Sequence, residues 1–176
     1  MAELSKSKMY LGGEWVEPLT GDYFESHNPY TGKPWMLVGR GGEDDANRAV
    51  EAAKKAFHNP EWRDMTPTAR GHLLRKLGDL IAENAQALAK VEVQDNGKLY
   101  AEMHMQMRYA PQWYYYFGGL ADKIEGSIFP IDKPEIFAYT RHEPLGVCVA
   151  IIPWNSPLLL VSYELAPALA AGNTII

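Results

Sequence analysis

The stretch Leu145-Gly-Val-Cys-Val-Ala-Ile-Ile-Pro-Trp-Asn-Ser-Pro-Leu-Leu-Leu-Val-Ser-Tyr-Glu-Leu-Ala-Pro-Ala-Leu-Ala-Ala-Gly-Asn-Thr-Ile-Ile176 decides the fold. Val147 to Ile152 is an unbroken apolar run rich in β-branched residues. That is the pattern of a strand buried on both faces, as in a parallel sheet. Pro153 ends it, because proline has no N–H to give the ladder. Pro157 suits the first turn of a helix, where a missing donor costs nothing. Leu158 to Ala171 continues that helix, and Gly172-Asn173 ends it. Thr174-Ile175-Ile176 opens a second strand. Strand, polar turn, helix and strand make the start of a βαβ unit, so the fold class is α/β. The turn puts Asn155 at the carboxyl end of a strand, where open α/β sheets keep their ligands.

Outward from this unit the chain alternates turn signals with helical patterns. Tyr10-Leu-Gly-Gly-Glu-Trp15 reads as a hairpin with a primed turn at Gly12-Gly13. Asn28-Pro-Tyr-Thr-Gly32 is a turn, and Lys33 to Gly39 a candidate strand. Glu43-Asp44-Asp45 opens a helix with acids in its first turn and Lys54-Lys55 near its end, as the helix dipole favours. Ala46, Val50, Ala53 and Phe57 form its apolar stripe. Thr66-Pro67 caps another helix, with Leu73, Leu74, Leu77, Leu80 and Ile81 at helical spacing. A further helix covers Ala85 to Gln94 and stops at Asn96-Gly97. From Leu99 to Ile124, Met103, Met107, Ala110, Tyr114, Phe117 and Ala121 recur every three or four residues, a core stripe that Pro111 kinks or restarts. Gly126 to Glu143 reads as two apolar strands around Asp132-Lys133-Pro134. Its exposed edges make it a candidate for pairing with another chain.

Composition narrows the class. The 176 residues are 47% hydrophobic and 22% charged, ordinary for a globular domain. A net charge of -5 argues against a surface that tracks nucleic-acid phosphates. The single cysteine rules out an internal disulfide, and the polar opening Met1 to Tyr10 lacks a secretory core, so a cytoplasmic location is expected. Residues 144 to 163 carry no charge over twenty positions, but Pro153, Asn155 and Pro157 in their middle would leave backbone groups unpaired in lipid.

Read residue by residue, the chemistry is sparse. The turn at Ile152 to Pro157 lacks the Gly-x-Gly-x-x-Gly phosphate cradle, so by itself it makes only a weak case for a dinucleotide. Asn155 taken alone is a turn asparagine bonding its own backbone. Cys148 sits inside an apolar strand, where a thiol is inert, and reads as structural. His27, His58, His72, His104 and His142 form no ligand-spaced pair, so no metal is expected. Ser156 has no base and no nucleophile-elbow context.

Three motifs in fixed order add a family reading. Glu143-Pro-Leu-Gly-Val147, then Ile152-Pro-Trp-Asn-Ser-Pro157, then Ala166-Pro-Ala-Leu-Ala-Ala-Gly-Asn-Thr174 resemble the aldehyde dehydrogenase superfamily. The resemblance runs from Tyr10 onward and covers the N-terminal portion of a family member. It implies residues 1–125 as the N-terminal strands and helices of a Rossmann-like cofactor-binding domain. Residues 126–144 become a β-hairpin oligomerisation arm, and 145–176 the start of the βαβ core. It implies NAD or NADP as cofactor, an aldehyde as substrate and a homo-oligomer as the assembly. Ile151, Ile152, Pro153, Trp154 and Asn155 fall nearest the cofactor, and Asn155 becomes the donor to the developing oxyanion. Tyr109, Trp113, Ser156, Leu160 and Tyr163 fall in the substrate funnel, with Ser156 small where many members carry an aromatic residue. Glu164 departs from the pattern, standing where many members have a lysine. The nucleophilic cysteine and the general base are expected past Ile176, leaving residues 1–176 inactive alone. The competing expectation is a short, non-catalytic interaction or regulatory subunit acting through the 126–144 hairpin.

Overall fold

The computed structural model describes residues 3–176; Met1 and Ala2, at the start of the polar opening stretch, lie outside the described residues. After β1 (Lys6–Ser7), β2 (Met9–Leu11) and β3 (Glu14–Val16) pair antiparallel. Their link, Gly12-Gly13, has φ of 62° and 91°, the left-handed pair that a primed turn needs. β4 (Tyr23–Asn28) and β5 (Lys33–Gly39) pair antiparallel across the Asn28–Gly32 turn, and β1 joins β5 in parallel. The patterning misses β1 and β4. β1 is two residues long, and β4 lacks clean alternation, its register slipping at a bulge between Ser26 and His27.

Helices follow. α1 (Glu43–His58) has the expected acidic first turn. Asp45 is buried there because its carboxylate accepts the N–H groups of Gly42 and Leu19. Of its expected stripe Ala53 is buried and Val50 and Phe57 are half-buried, while Ala46 is exposed. Ala46 lines an open groove of about 800 Å³ bounded also by Tyr10, Trp62 and Ile175. The short α2 (Pro60–Arg63) is capped by Asn59. α3 (Pro67–Glu83) starts where predicted, with the Thr66 hydroxyl accepting the Ala69 N–H at 3.3 Å. Its buried stripe is narrower than expected: Leu74 is buried, but Leu73 and Leu80 are 50% and 48% exposed. They lie on the outer flank of the stripe. α4 (Ala85–Asn96) ends at Gly97, whose φ is 75°. Pro111 restarts rather than kinks the next stretch, giving α5 (Tyr100–Tyr109) and α6 (Pro111–Leu120). Met103, Met107, Ala110, Tyr114 and Ala121 are all buried, so that stripe is core.

β6 (Ile128–Phe129) and β7 (Ala138–Tyr139) pair antiparallel as expected, but over two residues each, much less than the apolar runs predicted; Ile128, Phe129 and Tyr139 are exposed. β8 (Val147–Cys148), α7 (Pro157–Ala170) and β9 (Thr174–Ile175) form the βαβ unit, with β8 and β9 parallel. The expectation of a strand from Val147 to Ile152 buried on both faces is corrected. The ladder bonds run only from Gly146 to Ala150, and Val149 and Ile151 are 66% and 91% exposed. β9 is its one partner among the described residues, so the other edge and much of both faces stay open. For the same reason Cys148 is half-buried rather than fully enclosed. No helix among the described residues is long and apolar enough to cross a membrane.

α3, α6 and α7 share the main core, built on Leu74, Tyr114, Ala121, Ala166 and Ala170. Two glycines let α3 and α6 touch. A Cβ on Gly71 would lie 2.3 Å from the Gly118 carbonyl oxygen, backbone that cannot swing aside. Gly71→Ala is therefore expected to destabilise the protein by about 1–3 kcal/mol, the usual cost of overpacking. Gly119→Ala, whose new methyl meets only the tip of the Arg75 side chain at 3.4 Å, should be neutral or stabilising by up to about 1 kcal/mol. Urea unfolding of both variants checks the contrast; equal effects would contradict it.

Candidate functional site

The candidate site is the turn between β8 and α7. Pro157 occupies the first helical position, and Ser156 the cap. A serine there normally accepts an N–H of the first turn. Ser156 makes no such bond. Its hydroxyl donates to the Asn155 carbonyl at 2.8 Å and receives the Lys98 ammonium at 3.0 Å. The free N–H of Leu158 instead donates to Glu92 Oε1, at 2.8 Å, from a residue 66 positions away on α4. Asn96 adds a third tie, its amide donating to the Asn155 carbonyl at 3.4 Å. Asn96 is held in turn by accepting the Lys98 N–H at 2.9 Å.

Glu92 is 3% exposed. Burial pushes its carboxyl up from the ordinary range, while the Leu158 N–H and the Lys98 ammonium pull it back and Asp95 adds to the rise. Its second oxygen, Oε2, is buried and has no hydrogen-bond partner among the described residues. The other end of α7 also meets side chains from earlier helices. The Trp62 indole donates to the Gly172 carbonyl at 3.1 Å, and the Arg70 guanidinium reaches the Ala170 carbonyl at 3.5 Å while holding the Met65 carbonyl at 2.8 Å. Burial holds the Arg70 pKa below its usual value.

The predicted residues fall into two groups. Ile151, Pro153, Trp154 and Asn155 are exposed and Ile152 is half-buried, lining the carboxyl end of the strand. Trp154 is 77% exposed. Asn155 is tied through its backbone carbonyl, and no hydrogen bond among the described residues uses its side-chain amide, so the local turn bond expected of an isolated asparagine is not made. Trp113 and Tyr163 are brought together, ring centroids 4.2 Å apart and tilted at 49°, with Leu160 one helical turn before Tyr163. The Trp113 indole N–H is buried without a partner among the described residues. Tyr109 ends α5 and is 51% exposed. Ser156 is 4% exposed and committed to Lys98 and Asn155, which makes it part of the turn's framework. Glu164 is exposed on α7.

For a dinucleotide the fit is partial. Exposed Ile151 and Trp154 offer an apolar wall suited to a flat ring. At the start of α7 the Leu158 N–H is already held by Glu92, so that donor is not open to a phosphate. Sequence reasoning missed Glu92, Asn96 and Lys98. One signal was present: Ala85, Ala89, Glu92 and Asn96 follow each other at helical spacing, which puts an acid on the inner face of α4.

The family model described as "Aldehyde dehydrogenase family" matches residues 15–176. Among similar proteins, (Z)-2-((N-methylformamido)methylene)-5-hydroxybutyrolactone dehydrogenase of Acinetobacter baylyi is 42% identical over 173 residues, covering 98% of this chain and 35% of that protein. Human aldehyde dehydrogenase 1A1 is 39% identical, covering 99% of this chain and 35% of its own length. The aldehyde dehydrogenase of Bacillus cereus, solved as an NAD+ complex, superposes with a TM-score of 0.93 at 42% identity, over 97% of this chain and 35% of that one. The chain thus spans about a third of the length of the relatives it matches.

The buried Glu92 makes a pH-dependent contribution whose sign follows from its raised pKa. The folded state holds its proton at pH values where the unfolded chain, with a glutamate pKa of about 4.3, has released it. Glu92 thus favours the fold most below that value, and the contribution is lost as pH rises through the folded pKa. Glu92→Gln keeps an acceptor but cannot ionise. Its stability relative to wild type should therefore grow as pH rises from about 4.3 and then level off. Urea unfolding at a series of pH values measures this; a gap that narrows with rising pH would contradict it.

Proposed function

This chain belongs to the aldehyde dehydrogenase family, and on that premise we propose that it is the N-terminal portion of an NAD- or NADP-dependent enzyme that oxidises an aldehyde to a carboxylic acid through a cysteine thioester. The observation that carries the reading is the Asn155 side chain, exposed at the strand's carboxyl end with its amide unengaged among the described residues while its backbone is tied. An amide N–H aimed in advance at the aldehyde oxygen stabilises the charge that develops there when a thiolate attacks, more than it stabilises the ground state. Ile151, Ile152, Pro153 and Trp154 form the apolar wall beside the cofactor. When bound, the cofactor supplies a hydride acceptor. Tyr109, Trp113, Leu160 and Tyr163 line the approach for the aldehyde, with Ser156 setting the shape of the turn.

Cys148 does not act as the nucleophile, since it sits in the body of the β8–β9 ladder, upstream of the turn. Residues 1–176 hold no other thiol, so alone they do not turn over aldehydes. The 126–144 hairpin acts as the oligomerisation arm, supported by its exposed Ile128, Phe137 and Tyr139. The same exposed hairpin is all that a non-catalytic interaction subunit would rest on, and nothing specific favours that alternative. The lone cysteine, which allows no internal disulfide, fits a cytoplasmic enzyme, and the acidic balance argues against a nucleic-acid partner.

In the complete protein, Asn155→Ala should slow single-turnover hydride transfer by roughly 10²–10³ and leave cofactor affinity much less changed. Asn155→Asp should be slower still, because a carboxylate repels the oxyanion. A wild-type rate with weakened cofactor binding would overturn the reading. Deleting Ile128 to Tyr139 should reduce the mass of the assembly in solution, and an unchanged oligomer would rule out the arm.

A further inference from the structure

We propose that Glu92 and Asn96 of α4, with Lys98 just past its end, are positioning residues that aim Asn155, an inference that rests on Asn155 being the oxyanion donor. The cap serine at 156 has its hydroxyl turned away from the helix and onto the Asn155 carbonyl, with Lys98 Nζ supporting it at 3.0 Å. That leaves the first turn of α7 uncapped by its own sequence, and Glu92 Oε1 takes the Leu158 N–H at 2.8 Å. Asn96 takes the Asn155 carbonyl directly at 3.4 Å. Three side chains of one neighbouring segment thus hold residues 155, 156 and 158 in succession.

The clamp has a rigid base. Ala85 and Ala89 of α4 pack with Met103 and Met107 of α5, and Leu158 and Leu159 of α7 rest on the same cluster. Gly97, in the left-handed conformation, turns the chain between Asn96 and Lys98. The backbone of the turn is therefore fixed on one side by a packed helix pair, and only the Asn155 side chain projects free. Fixing the backbone removes that share of the reorganisation and leaves the donor only its side-chain rotation to settle, and a donor that must reorganise as charge develops loses most of its effect.

The test is a double-mutant cycle in the complete enzyme, read by single-turnover hydride transfer at saturating aldehyde and NAD+. Glu92→Ala should slow transfer by roughly 10- to 100-fold, the scale of a small misplacement. Cofactor affinity should hold within about threefold, and Glu92→Gln, which keeps the acceptor, should recover most of the rate. In an Asn155→Ala background Glu92→Ala should cost little more, since there is no amide left to aim. Lys98→Met, which keeps the apolar stem, carries the same cycle should Glu92→Ala fail to fold. If Asn155→Ala is slow but both Glu92→Ala and Lys98→Met are as fast as wild type, the clamp is refuted while the oxyanion donor stands. If the α4 variants slow transfer equally with and without the Asn155 amide, they act elsewhere and the inference falls. If Asn155→Ala itself has the wild-type rate, the donor reading fails and the clamp with it.

Discussion

The bond from the Leu158 N–H to Glu92 organises the region where the chemistry would take place. A helix that starts against other helices must find acceptors for its first N–H groups. Pro157 removes one of those donors, and Ser156 is engaged elsewhere, so the Leu158 N–H finds its acceptor across 66 residues of sequence. A cap contributes about 0.5–2 kcal/mol. A buried oxygen left without a partner, as Oε2 of Glu92 is among the described residues, costs about 1–3 kcal/mol. The two effects roughly cancel, so stability alone does not account for a carboxylate at this place. What the bond provides is a fixed register between α4 and the turn that carries Asn155.

α7 is tied at both ends in the sense its dipole favours. An acid meets its N-terminus, and at its C-terminus the Arg70 guanidinium reaches the Ala170 carbonyl. Trp62 secures the following Gly172 carbonyl. Between the two ends, Ala166 and Ala170 press onto Leu74, Tyr114 and Ala121. The helical N-terminal region is therefore the mould for the start of the βαβ unit: its core sets where α7 lies, and its polar groups set where α7 begins. On the strand side, β8 has β9 as its one partner among the described residues.

Local chemistry was the legible part of the sequence. Gly12-Gly13, Thr66-Pro67, Asn96-Gly97 and Gly172-Asn173 each stopped or started an element where read, because glycine and capping residues act on their own backbone. The Met103-to-Ala121 stripe was legible because a helix repeats its inner face. Burial of Val147 to Ile152 was misjudged, because an apolar run records what a strand can bury and not which neighbours cover it. In the site, Asn155 and its flanking prolines were visible as a turn. Glu92 and Lys98 were not, since their roles depend on a packing between α4 and α7 that no local pattern encodes.

The central claim is that the Asn155 amide is aimed, before reaction, at the place where an aldehyde oxygen gains charge. A crystal structure of the complete enzyme with an aldehyde trapped as its covalent cysteine adduct tests this most directly. The account predicts Asn155 Nδ2 about 2.7–3.1 Å from the adduct oxygen, with the Glu92–Leu158 and Lys98–Ser156 bonds intact. An Asn155 amide turned back onto its own backbone, with the adduct oxygen bound by other groups, would contradict it.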